Sequence, residues 1–327
     1  MPQQMREPNT LGGFALLIAR NRPACCATLV GLCILATLWI GIAAAHEKDT
    51  KFPRELVEFV PYKVNPVFSP AKGQWDERIR ERGWIMREDG VYKLWYTGYQ
   101  GKDGIRRLGY ATSSDGIQWT RHPKNPLVTD LWVEDMMIVK HDGKYHMFAE
   151  GLNDRAHMLV SNNGIDWTPR GKLDIRLKDG TPIPDGPFGT PTVWREQDRW
   201  HLFYERNDLG IWLATSTDLK VWKNVQDEPV MKPGPGEYDK DMIAMNQIIK
   251  HKGRYYAYYH GSAKTGPNAK FWSTNIATST DLIHWEKYPG NPLLPIRANK
   301  SSGIVVHDGE RYRLYTMHPE VFLHVPR

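Results

Sequence analysis

The chain has 327 residues, of which 41% are hydrophobic and 24% charged, enough for one large globular domain or two small ones. Its formal charge is +6; residues 1–45 hold three Arg and one Glu, so +4 remains downstream, and no Lys/Arg run stands out to contact nucleic acid. Cys25, Cys26 and Cys33 all lie in one apolar stretch, which excludes a disulfide scaffold, a Cys-based zinc site and a catalytic Cys from the rest of the chain.

That stretch comes first in chain order. From Pro23 to Ala45 no residue is charged, Arg20 and Arg22 stand before it, and His46-Glu47-Lys48-Asp49 follow. Its length spans a bilayer, and Ala43-Ala44-Ala45 resembles a signal-peptidase site. Residues 1–23 therefore read as a flank, 24–45 as a signal peptide or a transmembrane anchor, and 46–56 as a linker. Both alternatives place the main domain outside the cytoplasm, with membrane contact only through this segment.

The remainder, residues 57–327, is a repeat. A turn leading into an aromatic strand recurs five times, at Asp89-Gly90-Val91-Tyr92, Asp142-Gly143-Lys144-Tyr145, Gln197-Asp198-Arg199-Trp200, Lys252-Gly253-Arg254-Tyr255 and Asp308-Gly309-Glu310-Arg311-Tyr312. Asp-Gly between β-rich runs marks a hairpin, because glycine takes the positive φ that the tight turn requires. A second signature follows in four units: Ser113-Ser114-Asp115-Gly116-Ile117-Gln118-Trp119, then Ser161 to Trp167, Ser216 to Trp222 and Ser279 to Trp285. Its Asp or Asn caps a turn through its own side chain, and its Trp covers the next strand. The spacing predicts an all-β fold, a five-bladed β-propeller with four antiparallel strands per blade. Asn125-Pro126-Leu127 and Asn291-Pro292-Leu293 end two units, whereas Asn65-Pro66-Val67 has no unit before it. The segment near residues 57–68 is thus predicted to supply the outer strand of the last blade and close the ring.

These blade endings resemble those of the five-bladed glycoside hydrolases of families 43, 32, 62, 68, 117 and 130, over about residues 60–327. The resemblance implies an axial cluster of acids, about ten residues before the first aromatic of each unit. In family 43 the first blade gives an Asp base, the second a pKa-tuning Asp and the third a Glu acid. Counting back here reaches Arg82, Asp135, Thr190, Met245 and Ser302, of which only Asp135 is acidic.

The second strand returns to the face where the first begins, so its end also meets the axis. Five residues past each aromatic stand Thr97, Glu150, Glu205, His260 and Met317. Glycosidic cleavage needs a protonated carboxyl for the leaving oxygen and an ionised carboxylate as base or nucleophile, with a third acid raising the donor's pKa. Asp76 is read as base or nucleophile, Asp135 as tuner and Glu205 as proton donor, with Glu150 in reserve. Arg78, Arg82, Glu134, Glu150, Asp241 and His260 are read as sugar ligands, and Trp75 or Trp132 as a stacking wall. No zinc, phosphate-loop or nucleophile-elbow motif is present, and neither a metal nor another cofactor is expected. The expected function is an exported glycoside hydrolase with a carbohydrate partner. Two alternatives stay open: a glycan-binding propeller without catalysis, and a phosphorylase or transglycosylase on the same scaffold.

Overall fold

The computed structural model describes residues 51–102 and 104–327. The expected signal or anchor over residues 24–45 lies outside them. Among the described residues no helix is long and apolar enough to cross a membrane.

Among the described residues, five sheets follow one another along the chain as blades. Their inner strands are Trp84–Glu88, Glu134–His141, Gly189–Glu196, Met242–His251 and Ile304–His307. Each pairs antiparallel with a second strand: Val91–Tyr99, Lys144–Gly151, Arg199–Glu205, Arg254–Ser262 and Tyr312–Met317. Inner strands of neighbouring blades pack on one another, and the fifth packs on the first. Covered on both faces, an inner strand is buried almost continuously rather than alternately, as over Glu134–Ile138 and Gly189–Val193.

The turns form for the reason read from sequence. Asp89 and Gly90 take φ of 51° and 81°, and Asp142 and Gly143 take 48° and 70°, the paired positive angles of a tight hairpin. In the second signature, Asp115 Oδ1 accepts the backbone N–H groups of Ile117 and Gln118 at 2.8 and 2.9 Å, while Ser113 Oγ accepts that of Gly116 at 2.8 Å. The same bonds recur around Asn163, Asp218 and Asp281. The ring closes as expected. Phe59–Pro61 pairs with Val321–Pro326, with Phe59 opposite Pro326, and becomes the outer strand of the last blade.

Two blades depart from four simple antiparallel strands. The third has a fifth strand, Asp174–Arg176, parallel to Val221–Asn224. It comes from the connection after the second blade and places Ile175, 3% exposed, beside the fully buried Trp222. The first blade's inner strand is split into Arg78–Ile79 and Trp84–Glu88, and Arg82 lies in the break.

Arg82 is fully buried and pins the hub. One Nη donates to Thr192 Oγ1 at 2.8 Å and to the Met245 carbonyl at 2.9 Å; the other donates to the carbonyls of Pro191, at 2.9 Å, and Asp135. A single guanidinium from the first blade thereby ties the second, third and fourth. Its expected role as a sugar ligand is corrected: the side chain is fully buried, and both Nη groups are spent on protein carbonyls and the Thr192 hydroxyl.

Candidate active site

Among the described residues, three inner strands have a residue in the left-handed region near their start: Asp135 (φ 44°) and Thr190 (φ 44°), each second in its strand, and Ser302 (φ 53°), two residues ahead of Ile304. In the second, third and fourth blades the pairing register slips at this point. Such bulges re-aim a side chain next to a site. All three residues are the ones that the ten-residue count reached.

Four blades converge there on a cavity of about 180 Å³. Arg80 and Glu81 come from the first, Asp135, Glu150 and Asp154 from the second, Thr190, Glu205 and Asp208 from the third, and His260 and Trp272 from the fourth. A larger hollow of about 370 Å³, between Trp84, Met137, Trp194 and Gln247, has no carboxylate in its lining.

The acids differ because their partners differ. Asp135 is 8% exposed, and its Oδ1 has no hydrogen-bond partner. Burial, with Glu81 and Glu134 nearby, outweighs Arg82 and Arg80 and pushes its pKa up to about 8. Glu150 is also raised, by burial first and then by Asp135 and Glu134, although Oε2 accepts the Thr190 N–H at 2.8 Å. Glu205 rises to about 7 through burial and the neighbouring Asp208. Its two oxygens each accept a backbone N–H, from Gly189 at 2.9 Å and Asp208 at 2.6 Å, and these bonds favour its ionised form. Glu81 runs the other way. Burial alone would raise it, but His318 at 3.2 Å and Arg80 hold it down at about 2.

Glu150 and Glu205 meet across Gly189. A β-carbon on Gly189 would lie 2.1 Å from Glu150 Oε2 and 2.6 Å from Glu205 Oε1, so no other residue fits without displacing both. Gly189→Ala is expected to lower the rate by about 10²-fold, the order that a 1 Å misplacement of a catalytic group produces. Steady-state kinetics check this, and an unchanged rate would mean that the carboxylates tolerate displacement.

Several expected site residues lie elsewhere. Asp76 is buried outside the cavity, with Oδ2 accepting from Tyr96 at 2.9 Å and Arg121 at 2.8 Å, so its expected role as base is corrected. Asp239 repeats the arrangement in the fourth blade with Tyr259 and Lys287, which marks both as internal struts. Trp75 stacks on Tyr96, with centroids 5.8 Å apart, and is not a wall of the cavity. Trp132 is not in the lining either; its Nε1 donates to Glu134 Oε1 at 2.8 Å. Glu134 is 3% exposed and also takes Arg80 Nε at 2.9 Å, so it steadies Arg80 rather than facing a sugar. Arg78 lines a neighbouring hollow that shares Arg80 and Glu81 with the cavity. Asp241 Oδ2 accepts the Lys264 N–H at 2.7 Å and is absent from the lining.

Asp135, Glu150, Glu205 and His260 are brought together as expected. Arg80, Glu81, Asp154, Asp208 and Trp272 were missed as site residues. Glu81 had a signal, since it directly precedes the axial position of the first blade. The loop residues Asp154 and Asp208 had none. Glu134, Glu150 and Asp154 bring one oxygen each within 4.8 Å of one another, a spacing suited to a cation. Glu134 is already engaged by Arg80 and Trp132, which leaves that grouping short of free ligands.

No protein-family model matches the chain. A 1,2-beta-oligomannan phosphorylase of Thermoanaerobacter sp. (strain X514) is 30% identical over 217 residues, 60% of this chain and 69% of that protein. Solved structures that share the fold include the following two. A glycosyl hydrolase from Bacteroides ovatus superposes with a TM-score of 0.69 at 19% identity, over 84% of this chain and 95% of its own. A second, from the GH130 family of mannoside phosphorylases that contains glycoside hydrolases targeting beta-1,2 mannosidic linkages in Candida mannan, superposes with a TM-score of 0.68 at 19% identity, over 81% of this chain and 92% of its own. At this identity and coverage the chain belongs to the same family as the 1,2-beta-oligomannan phosphorylase, and its fold is the five-bladed propeller of the two solved structures.

Proposed function

We propose that this protein is a hydrolase of β-mannosidic bonds, with a β-1,2-linked mannooligosaccharide as its substrate class. The linkage comes from the family relatives. The choice of water over phosphate as acceptor rests on one observation, the charge of the cavity. Six carboxyl groups line it, against one cationic side chain, Arg80, which is already bonded to Glu134 and lies 3.8 Å from Glu81. A phosphate dianion would enter a field of its own sign with no free guanidinium or ammonium in the lining.

Asp135 acts as proton donor in this reading. Its unpartnered oxygen and raised pKa keep the proton on the carboxyl until the glycosidic oxygen takes it. Glu205 is the base, because two backbone N–H groups support its charge. It takes a proton from water as the water oxygen bonds to the anomeric carbon, while the bond to the leaving oxygen breaks and Asp135 protonates that oxygen. Glu81 and Glu134 contribute the like charges that help hold the proton on Asp135. Asp135, expected from sequence as the tuner, is thus the donor in this reading, and Glu205, expected as the donor, takes the part of base that was expected of Asp76.

The pH dependence follows. The base works only when ionised, so activity should fall as pH drops below about 7, where Glu205 gains a proton. The donor works only when protonated, so activity should also fall as pH rises above about 8, where Asp135 loses one. A narrow bell near neutrality is expected in kcat/KM. A profile flat from pH 5 to 9 would count against this pair.

Phosphorolysis is the second reading, favoured by the 30% identity to an oligomannan phosphorylase. Product analysis separates the two. Incubation with β-1,2-mannobiose in phosphate buffer should yield free mannose, whereas mannose 1-phosphate would establish phosphorolysis. Export through residues 24–45 is part of the proposal. Fractionation of the tagged full chain should recover it outside the cytoplasm.

A further inference from the structure

His260 reaches the cavity with its ring proton already placed. Asn246 is fully buried on the inner strand of the fourth blade, and His260, 4% exposed, is on the strand beside it. Asn246 Oδ1 meets His260 Nδ1 at 2.8 Å, while Nδ2 of the same amide donates to the Gly303 carbonyl at 3.4 Å. An amide that turns its NH₂ toward a carbonyl offers only an acceptor on its other side. Nδ1 therefore carries the hydrogen, and Nε2 keeps its lone pair. The ring lines the cavity edge-on to Trp272, with centroids 5.2 Å apart, so Nε2 is the nitrogen left for a ligand.

The ring also stays neutral. Burial is the largest influence; Glu81 favours the imidazolium, while Arg82 and His318 oppose it, and proton uptake falls to about 4. Asp135 and Glu205 titrate well above that. These carboxyls exchange donor and acceptor character across the working range, whereas His260 does not.

We propose that Asn246 is a positioning residue that locks His260 with its proton on Nδ1, making Nε2 a fixed acceptor for one hydroxyl group of the bound sugar. The recognition step rests on reading the cavity as a sugar site; the tautomer does not.

Nitrogen-15 NMR of the full chain labelled at histidine tests this, with His260→Gln identifying the signal. The expected spectrum has a protonated Nδ1 and a bare Nε2, unchanged from pH 5 to 8. A proton on Nε2, or an imidazolium at pH 7, would overturn the lock. Titration with mannose and methyl β-mannoside should then move the Nε2 resonance. Sugar binding that leaves Nε2 unmoved would overturn the hydroxyl contact while sparing the sugar site. If neither sugar binds by any signal, the reading of the cavity fails together with the hydroxyl contact, and the tautomer result still stands by itself. Asn246→Asp supplies a second arm. The carboxylate behind the ring should charge it near neutrality, turn Nε2 into a donor and weaken mannose binding by about tenfold, with recovery as pH rises. Binding as tight and as insensitive to pH as in the parent protein would contradict the proposal.

Discussion

Replacing Asp135 by Asn is expected to slow cleavage of a β-1,2-linked mannooligosaccharide by about 10²–10⁴-fold, the range that general acid catalysis contributes. The substitution keeps the shape of the side chain at an 8% exposed position and removes the transferable proton. An aryl mannoside with a good leaving group needs little protonation, so its loss should be much smaller. The alkaline limb of the pH profile should also disappear, because the group that loses a proton near pH 8 is gone. Equal losses on both substrates would mean that Asp135 is not the donor, and Glu205 would be the next to test in that role.

The second large effect concerns the hub. Arg82→Met should remove the donors that hold the carbonyls of Asp135 and Pro191, and one of the two that reach Met245, whose carbonyl keeps the Thr192 hydroxyl. Each buried acceptor left unmatched costs about 1–3 kcal/mol, partly offset because a desolvated guanidinium is no longer buried. A net loss of about 2–5 kcal/mol is expected, roughly 10 °C in the melting temperature of a domain this size. Thermal unfolding of the variant checks it. A melting temperature unchanged from that of the parent, combined with a raised KM, would return Arg82 to the role of sugar ligand that it was first read to have.

Much of this site was legible because a propeller repeats its strand lengths. Counting from the aromatic that follows each turn reached Asp135 and Thr190 on inner strands, and Glu150, Glu205 and His260 on the second strands. Periodicity carries position along a strand, but it does not carry hydrogen-bond partners. For that reason the strand count alone suggests Glu205 as the acid, whereas the backbone N–H groups of Gly189 and Asp208 favour its ionised form. Asp76 was misplaced for a related reason. It lies in a loop where the strand count does not apply, and its use is decided by Tyr96 and Arg121. An internal signal was available: Asp76, Tyr96 and Asn125 are matched by Asp239, Tyr259 and Asn291, and a strut repeated in two blades is not a unique catalytic residue. Asp154 and Asp208 were not legible at all, because loop conformation brings them to the cavity. The fifth strand of the third blade was hidden too, since a three-residue pairing leaves no period to count.

The dependence of the rate of β-1,2-mannobiose cleavage on phosphate concentration tests the central claim most directly. With six carboxyl groups around the cavity and its one lining guanidinium engaged, the rate should be the same without phosphate as with it at millimolar concentration, and mannose should be the product throughout. A rate that is negligible without phosphate and rises to saturation as phosphate is added would contradict the account.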